Sequence, residues 1–187
     1  MDSFMLSCCT GARIDRARAA LPGLLSAMDH YEITVTRDRI AMFLANVGHE
    51  TMRLERMREI WGPTPAQRRY DGRVDLGNTE PGDGKRFMGR GCFQTTGRAN
   101  YVKLRDRLRA RGIGCPDFEA EPEKLELPEW APLSAADYVA MRNLNAWADQ
   151  GNFLQYCIGV NGRNDQGLPN GWEDRKRLHA AALEVLT

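Results

Sequence analysis

Thr36-Arg37-Asp38-Arg39-Ile40-Ala41-Met42-Phe43-Leu44-Ala45-Asn46-Val47-Gly48-His49-Glu50 is the stretch that decides the fold class. Ile40, Phe43, Leu44 and Val47 stand at i, i+3, i+4 and i+7, one face of a helix with 3.6 residues per turn. Thr36 precedes it as an N-cap, its hydroxyl able to take up a free backbone N–H. The same spacing returns in Phe153, Tyr156, Cys157 and Val160, and again in Leu178, Ala181, Ala182 and Val185. Tyr101, Leu104 and Leu108 form a fourth stripe on an otherwise arginine-rich face. Weaker helices are expected over 15–21, 24–31 and 134–148. No segment sustains a period of two, so any strands are short and the fold class is mainly α.

Around these helices the composition is that of an ordinary globular chain. It has 187 residues, 42% hydrophobic and 27% charged, with 26 Lys+Arg against 25 Asp+Glu for a formal charge of +1. That suits a single domain over 1–187, with room for a small inserted wall-binding module within 64–133. A charge near zero gives no general attraction to nucleic acid, and no apolar run reaches the roughly 18 residues of a membrane helix. The N-terminus offers only Phe4, Met5 and Leu6 before Ser7-Cys8-Cys9-Thr10, and its first basic residue is Arg13, so no signal peptide is expected. Five cysteines without a CxxC pair read as reduced thiols. The scattered His30, His49 and His179 point to no metal, and no cofactor is expected.

Two segments cannot be regular helix. Residues 61–91 hold Pro63, Pro65 and Pro81 among many glycines, and 161–171 contain Asn161-Gly162 and Gly167-Leu168-Pro169-Asn170-Gly171. Long irregular segments in a compact domain are more often functional than ordinary connections. The acidic, Pro-rich residues 115–132 read as a surface connection with little chemistry.

Glu50 closes the first helix, and Glu59 follows nine residues later, just before Trp61-Gly62-Pro63. On one continuous helix nine residues turn through about 900°, leaving the two side chains on opposite faces. They can share a cleft only if the helix ends soon after Glu50 and Glu59 lies on a loop. Paired carboxylates, one protonated and one ionised, are what glycoside hydrolysis needs. A carboxyl buried beside apolar residues serves as the acid and one in a wet loop as the base, which casts Glu50 and Glu59 in that order. Among 25 acidic residues, two ion-paired glutamates are the plainer reading of this pair alone. Further on, Gly89-Arg90-Gly91-Cys92-Phe93-Gln94-Thr95-Thr96-Gly97-Arg98-Ala99-Asn100-Tyr101 sets amides and hydroxyls among glycines before a helix. Such a block can form a wall that bonds sugar hydroxyls and N-acetyl groups, or simply a turn with an N-cap.

Taken in order, Gly48-His49-Glu50, Glu59, Trp61-Gly62-Pro63-Thr64-Pro65-Ala66-Gln67, the 89–101 block, Asn161-Gly162 and Trp172-Glu173-Asp174-Arg175 resemble glycoside hydrolase family 19. The similarity runs from about Arg37 to Leu183, and is to the chitinase-like phage endolysins and their prophage and bacterial relatives in the lysozyme-like superfamily. It implies a helical domain whose long Gly/Pro-rich loops form a substrate cleft. It also implies Glu50 as general acid, Glu59 as general base and Thr96 as a hydroxyl holding the attacking water. Gln94, Asn100 and Asn161 would contact sugar, with Trp61 as a stacking candidate, while Arg175 would pair with the acid. His49 is expected to pack or hydrogen-bond beside it. Glu55 competes for the base role but more simply pairs with an arginine, and Asp165 is a candidate support for Arg175. One departure is plain: the family's Asn-Gly-Gly turn has Arg163 in its last position.

The resemblance implies inversion, with carboxyls roughly 6.5–9.5 Å apart to admit a water. Peptidoglycan and chitin are both β-1,4-linked N-acetylated glycans. With no leader, the expectation is a monomeric endolysin held in the host cytoplasm that reaches the wall through a phage holin system. It would span no membrane and bind no nucleic acid. A chitinase of the same family and a non-catalytic glycan-binding descendant are the rivals. The arginines at 105, 107, 109 and 111 read as a solvated helix side or a patch for the anionic cell surface.

Overall fold

The computed structural model describes residues 1–186. In chain order its helices are α1 (Ser3–Thr10), α2 (Ile14–His30), α3 (Arg37–Glu50), α4 (Pro65–Arg68), α5 (Asp83–Arg86), α6 (Arg98–Ala110), α7 (Ala131–Met141), α8 (Asn145–Asp149), α9 (Phe153–Asn161) and α10 (Trp172–Val185). Short 3₁₀ turns at Ile33–Val35, Val74–Leu76 and Pro122–Glu126 link them. Among the described residues β-pairing is confined to two isolated antiparallel bridges, Arg58 with Arg90 and Arg90 with Thr95. Among the described residues no helix is long and apolar enough to cross a membrane.

α3 is the axis of the domain. Thr36 caps it, accepting from the Arg39 N–H at 3.2 Å. The sequence stripe predicts one buried face, yet every residue from Ala41 to Gly48 is buried, because α1, α8, α9 and α10 surround the helix. Phe43, Leu44 and Val47 are wholly enclosed, each worth about 1.5–3 kcal/mol against exposure. Gly48 is the tightest point: a Cβ there would stand 2.4 Å from the Thr10 carbonyl oxygen. Any larger residue would push α1 off the end of α3, where Glu50 sits.

Four elements differ from their sequence expectation. α1, not foreseen, is capped by Asp2 and ended by left-handed Gly11, and it buries Leu6 and Cys9. α2 is one helix rather than two, running through Pro22. Burial of Ala17, Leu24, Ala27 and Met28 outweighs the hydrogen bond that proline removes. Gly23 serves close approach rather than termination, since its Cβ would lie 1.9 Å from the Pro128 carbonyl oxygen. The helix expected over 134–148 begins at Ala131 and is divided into α7 and α8, with Asn143 at φ 52 reversing the chain. Residues 115–132 are more than a connection: Phe118 and Leu125 are fully buried, and Glu126 pairs with Arg90 at 2.7 Å.

Two arginines of α6 are engaged within the protein. Arg105 pairs with Asp106 and Asp117, and Arg107 forks onto buried Asp137. Arg111 lies over the Tyr31 ring at 4.5 Å. Arg105 and Arg107 thus tie this helix to its surroundings, while Arg109 and Arg111 stay exposed with no ion pair among the described residues. All five cysteines are unpaired thiols. Burial pushes those of Cys9, Cys92 and Cys157 up to about 12, too high for ready thiolate chemistry.

Candidate active site

The buried end of α3 delivers Glu50 to a cation. Arg175 of α10 is wholly buried, and its guanidinium donates to Glu50 Oε1 and to Asn46 Oδ1. Its Nε donates to the Asn170 carbonyl at 2.9 Å. Asn46, one turn before Glu50 and also fully buried, donates in turn to the Met42 carbonyl at 2.8 Å. Glu50 keeps 18% of its side chain exposed. An arginine rather than an apolar wall thus holds this carboxyl, which replaces the burial argument made from sequence with a charge-assisted one.

His49 turns away from the cleft. Its Nδ1 lies 2.7 Å from Asp174 Oδ2, while Arg53 and Arg177 donate to Asp174 Oδ1. Burial works against ionisation of Asp174, but these bonds outweigh it and hold its carboxyl well below the usual range. Asp165, the candidate support for Arg175, is exposed, and Arg175 is held instead by Asn170, Asn46 and Glu50. Gly171, at φ 70, is required here because a Cβ would meet His49 Cε1 at 2.0 Å.

After Glu50 the helix stops and the chain reverses through three consecutive left-handed residues, Met52, Arg53 and Leu54, at φ 50, 66 and 60. None is glycine, so each costs about 1–2 kcal/mol. The turn is pinned from both sides. Thr51 Oγ1 donates to the Val47 carbonyl at 2.6 Å and accepts from the Leu54 N–H at 2.9 Å. The Gly48 carbonyl accepts from the Arg53 N–H at 2.8 Å, and Asp174 holds the Arg53 guanidinium. Glu55 pairs with Arg16 at 3.1 Å, away from the site.

This reversal carries Glu59 onto a loop, as the nine-residue spacing requires. Its backbone N–H donates to the Gly89 carbonyl at 3.0 Å, and its Oε1 accepts from the Gly89 N–H at 2.8 Å. Its Oε2 accepts from Gln67 Nε2 at 3.2 Å. Gln67, only 6% exposed, also donates to the Ile60 carbonyl and accepts from the Gly62 and Thr64 N–H groups. With Thr64 it completes a capping box that starts α4. Asn78 and Asp83 are the other buried polar anchors of this segment, Asn78 accepting from the Arg98 N–H and Asp83 taking the Arg98 guanidinium.

The wall expected at 89–101 stands against Glu59. A Cβ on Gly89 would lie 2.7 Å from Gln94 Oε1 and 3.2 Å from Thr96 Oγ1, so both side chains crowd the glycine that bonds Glu59. Thr96 donates its hydroxyl proton to the Gln94 carbonyl at 2.9 Å. Gln94, at φ 53, keeps a buried Oε1 with no donor among the described residues. Asn100 is exposed at the rim and donates to the Thr96 carbonyl. These residues share a cavity of about 360 Å³ with Phe93 and Tyr138. Phe93 packs edge-on against Phe43 of α3 and against Tyr138, at 6.0 and 6.1 Å. Burial raises the Tyr138 phenol, Arg142 opposes this, and the charge of Glu50 adds to it. The wall thus adjoins Glu59 through Gly89 and reaches toward Glu50 through Phe93 and Tyr138.

Two candidates sit further out. Asn161 is exposed at the end of α9; its Oδ1 accepts from the Asn170 N–H at 2.9 Å, closing the loop whose Asn170 carbonyl holds Arg175. Trp61 packs tilted on Tyr70 at 6.2 Å and lines a cavity of about 410 Å³ beside Glu59. Sequence reasoning assigned no role to Asn46, Arg53, Gln67, Tyr138 or Asp174. Two of these carry a readable signal: Thr64-Pro65-Ala66-Gln67 has the capping-box spacing, and Asn46 interrupts an apolar helix one turn before Glu50.

No protein-family model matches the chain. Solved structures do. Chitinase C from Streptomyces griseus superposes with a TM-score of 0.73 at 22% identity, covering 99% of this chain and 76% of that one. A mutant of chitinase C gives 0.74 at 21%, with the same coverage of each chain, 99% and 76%. A bacterial family 19 chitinase gives 0.73 at 22%, covering 99% of this chain and 94% of its own. Helices and cleft loops together therefore make up the fold of the family 19 chitinases.

Proposed function

We propose that this protein is an inverting glycoside hydrolase that cuts β-1,4 bonds in the glycan strand of peptidoglycan, an endolysin-type enzyme. One observation carries the reading: two carboxyls, one at the end of α3 and one on a loop, are each held by dedicated partners, and an amide- and hydroxyl-lined wall stands against the second.

The hydrogen bonds suit the two roles. Arg175 occupies Glu50 Oε1, leaving Oε2 to carry the proton for the glycosidic oxygen. When that proton leaves, the guanidinium already stands against the new negative charge. Glu59 accepts at both oxygens from Gly89 and Gln67, an acceptor held to draw a proton from water. Because Thr96 spends its own proton on the Gln94 carbonyl, its lone pairs face outward as acceptors. A water bonded to Thr96 and Glu59 through its two protons turns its lone pair to the anomeric carbon. The unpartnered Gln94 Oε1 is an acceptor suited to a sugar N–H or O–H. As proton leaves Glu50 for the leaving oxygen, the water loses one to Glu59 and attacks from the opposite face, inverting the centre.

The order of motifs from Gly48 to Arg175 supports a family 19-type glycosidase, and the endolysin branch is our choice within it. In that reading the enzyme acts as a monomer and waits in the host cytoplasm until a holin lesion opens the wall to it. A chitinase acting on chitin oligomers is the second reading, favoured by the solved structures sharing the fold, which are themselves chitinases. The test is digestion of purified peptidoglycan and of chitin oligomers, with mass spectrometry of the products and NMR of the new anomer. The proposal expects new reducing ends in α configuration from peptidoglycan, abolished in Glu50→Gln and Glu59→Ala with circular dichroism unchanged. Full activity in Glu50→Gln would sink the acid assignment; full activity in Glu59→Ala would sink the base assignment.

A further inference from the structure

Several arginines in this protein hold the fold together. Arg90, Arg98, Arg105, Arg107 and Arg175 all hold carboxylates within the fold. A different set lines the cleft. The cavity of about 410 Å³ beside Glu59 is lined by Arg56, Arg58 and Lys85 together with Trp61. Among the described residues Arg56 and Lys85 make no ion pair, and Arg58, 56% exposed, reaches only Glu126 at 3.5 Å. The cavity's own carboxylate, Glu59, is bonded to Gly89 and Gln67 rather than to these cations. Three cations from two separate segments thus converge on a concavity, and among the described residues only Arg58 has a carboxylate partner, a long contact to Glu126. Arg56 and Arg58 follow the left-handed turn; Lys85 sits in α5.

Their chemistry separates the two glycans. A chitin strand is uncharged along its length. A peptidoglycan strand carries carboxylates, on the peptide stems attached to alternate sugars or on the lactyl group where a stem has been removed. We infer that Arg56, Arg58 and Lys85 form an anion subsite that takes the carboxylates of a peptidoglycan strand and so sets the preference for it over chitin. The inference rests on the glycosidase reading and names its substrate class. In this arrangement Trp61 offers an apolar face to a sugar ring while the cations take the charged substituent beside it. Being exposed, each contact is worth little alone, and together they change affinity about tenfold.

Binding tests the subsite independently of turnover. Glu50→Gln protein is titrated by calorimetry with a disaccharide-tetrapeptide oligomer, the same oligomer stripped of its peptides, and chitotetraose, at low and high salt. The proposal expects tighter binding of the charged oligomers, weakening with salt as surface ion contacts do. Arg56→Gln/Lys85→Gln should lose about tenfold on the charged oligomers and nothing on chitotetraose. If the intact oligomer is favoured the stem carboxylates are the source; if the stripped one is, the lactyl carboxylate is. Equal losses on all three, no loss on any, or wild-type preference for chitotetraose would each overturn it. Binding of the glycopeptide by a protein that cuts no glycan would overturn the glycosidase reading and leave the subsite standing.

Discussion

Replacing Arg175 by methionine removes the guanidinium at little change in volume and strands three acceptors, whose costs differ with their access to water. The Asn170 carbonyl belongs to an exposed turn and can be rehydrated. Asn46 is fully buried, so its Oδ1 is left without a donor, at about 1–3 kcal/mol. Breaking one side of a buried ion pair costs about 3–5 kcal/mol. Glu50 retains 18% exposure, which brings its share to roughly 1–2 kcal/mol. The sum centres on about 3 kcal/mol, or a fall in Tm of about 6–12 °C for a domain of this size. Urea unfolding followed by circular dichroism, in Arg175→Met, Glu50→Gln and the double variant, measures it and the coupling between the two sites. Coupling of about 1 kcal/mol or more is expected, since the residues are in direct contact. An Arg175→Met protein within about 0.5 kcal/mol of wild type, or a cycle with no coupling, would refute the claim that this pair positions the acid. The outcome does not depend on knowing the substrate.

Gln67→Ala should leave secondary structure intact yet lower kcat about a hundredfold with little change in KM, because a mispositioned base affects the chemical step. Gln67→Glu keeps the loop's acceptors but sets a second carboxyl against Glu59, so the acid limb of the rate profile should move to higher pH; an unmoved limb argues against positioning. Gly171→Ala places a Cβ into His49 at positive φ and should cost about 2 kcal/mol or more, with loss of activity through the Glu50 neighbourhood; a fully active, wild-type-stable variant would contradict the geometry. Two groups shape stability with pH. Asp174 is held below the usual carboxylate range, so its contribution is present above the unfolded value of 3.8 and is lost as pH falls through it toward the folded value. His179, stacked on Phe153, is lowered by burial, with Asp38 opposing. The unfolded chain takes up its proton first, so stability should fall as pH drops below about 6.5, and His179→Phe should flatten that slope.

Much of this site was legible because it is local. Thr36 announces the start of α3, the apolar stripe its burial, and the nine-residue spacing shows that Glu59 must leave the helix. The failures have one cause. Pro22-Gly23 looks like a helix break, but Gly23 is there so that the backbone at Pro128 can press against α2. Met52-Arg53-Leu54 carries no sign of a left-handed turn, since its strain is offset by Thr51 and by Asp174, over a hundred residues away. Glu50 is held by Arg175, as the family resemblance implied, but that the arginine is itself wholly buried was not readable from its neighbours in sequence.

By itself the chain of residues determined the helical class, the ends of α3, the apolar stripes of α9 and α10, the irregular cleft segments and the identity of the candidate carboxyls. These depend on period, capping and turn chemistry, which act over a few residues. Only the tertiary structure decided that Arg175 is wholly buried and shared with Asn46 and Asn170, that Gln67 and Gly89 hold Glu59, and that Arg56 and Lys85 converge beside it with no ion pair among the described residues. Those pairings join segments far apart in sequence, and neither periodicity nor spacing records which distant side chains will be desolvated together.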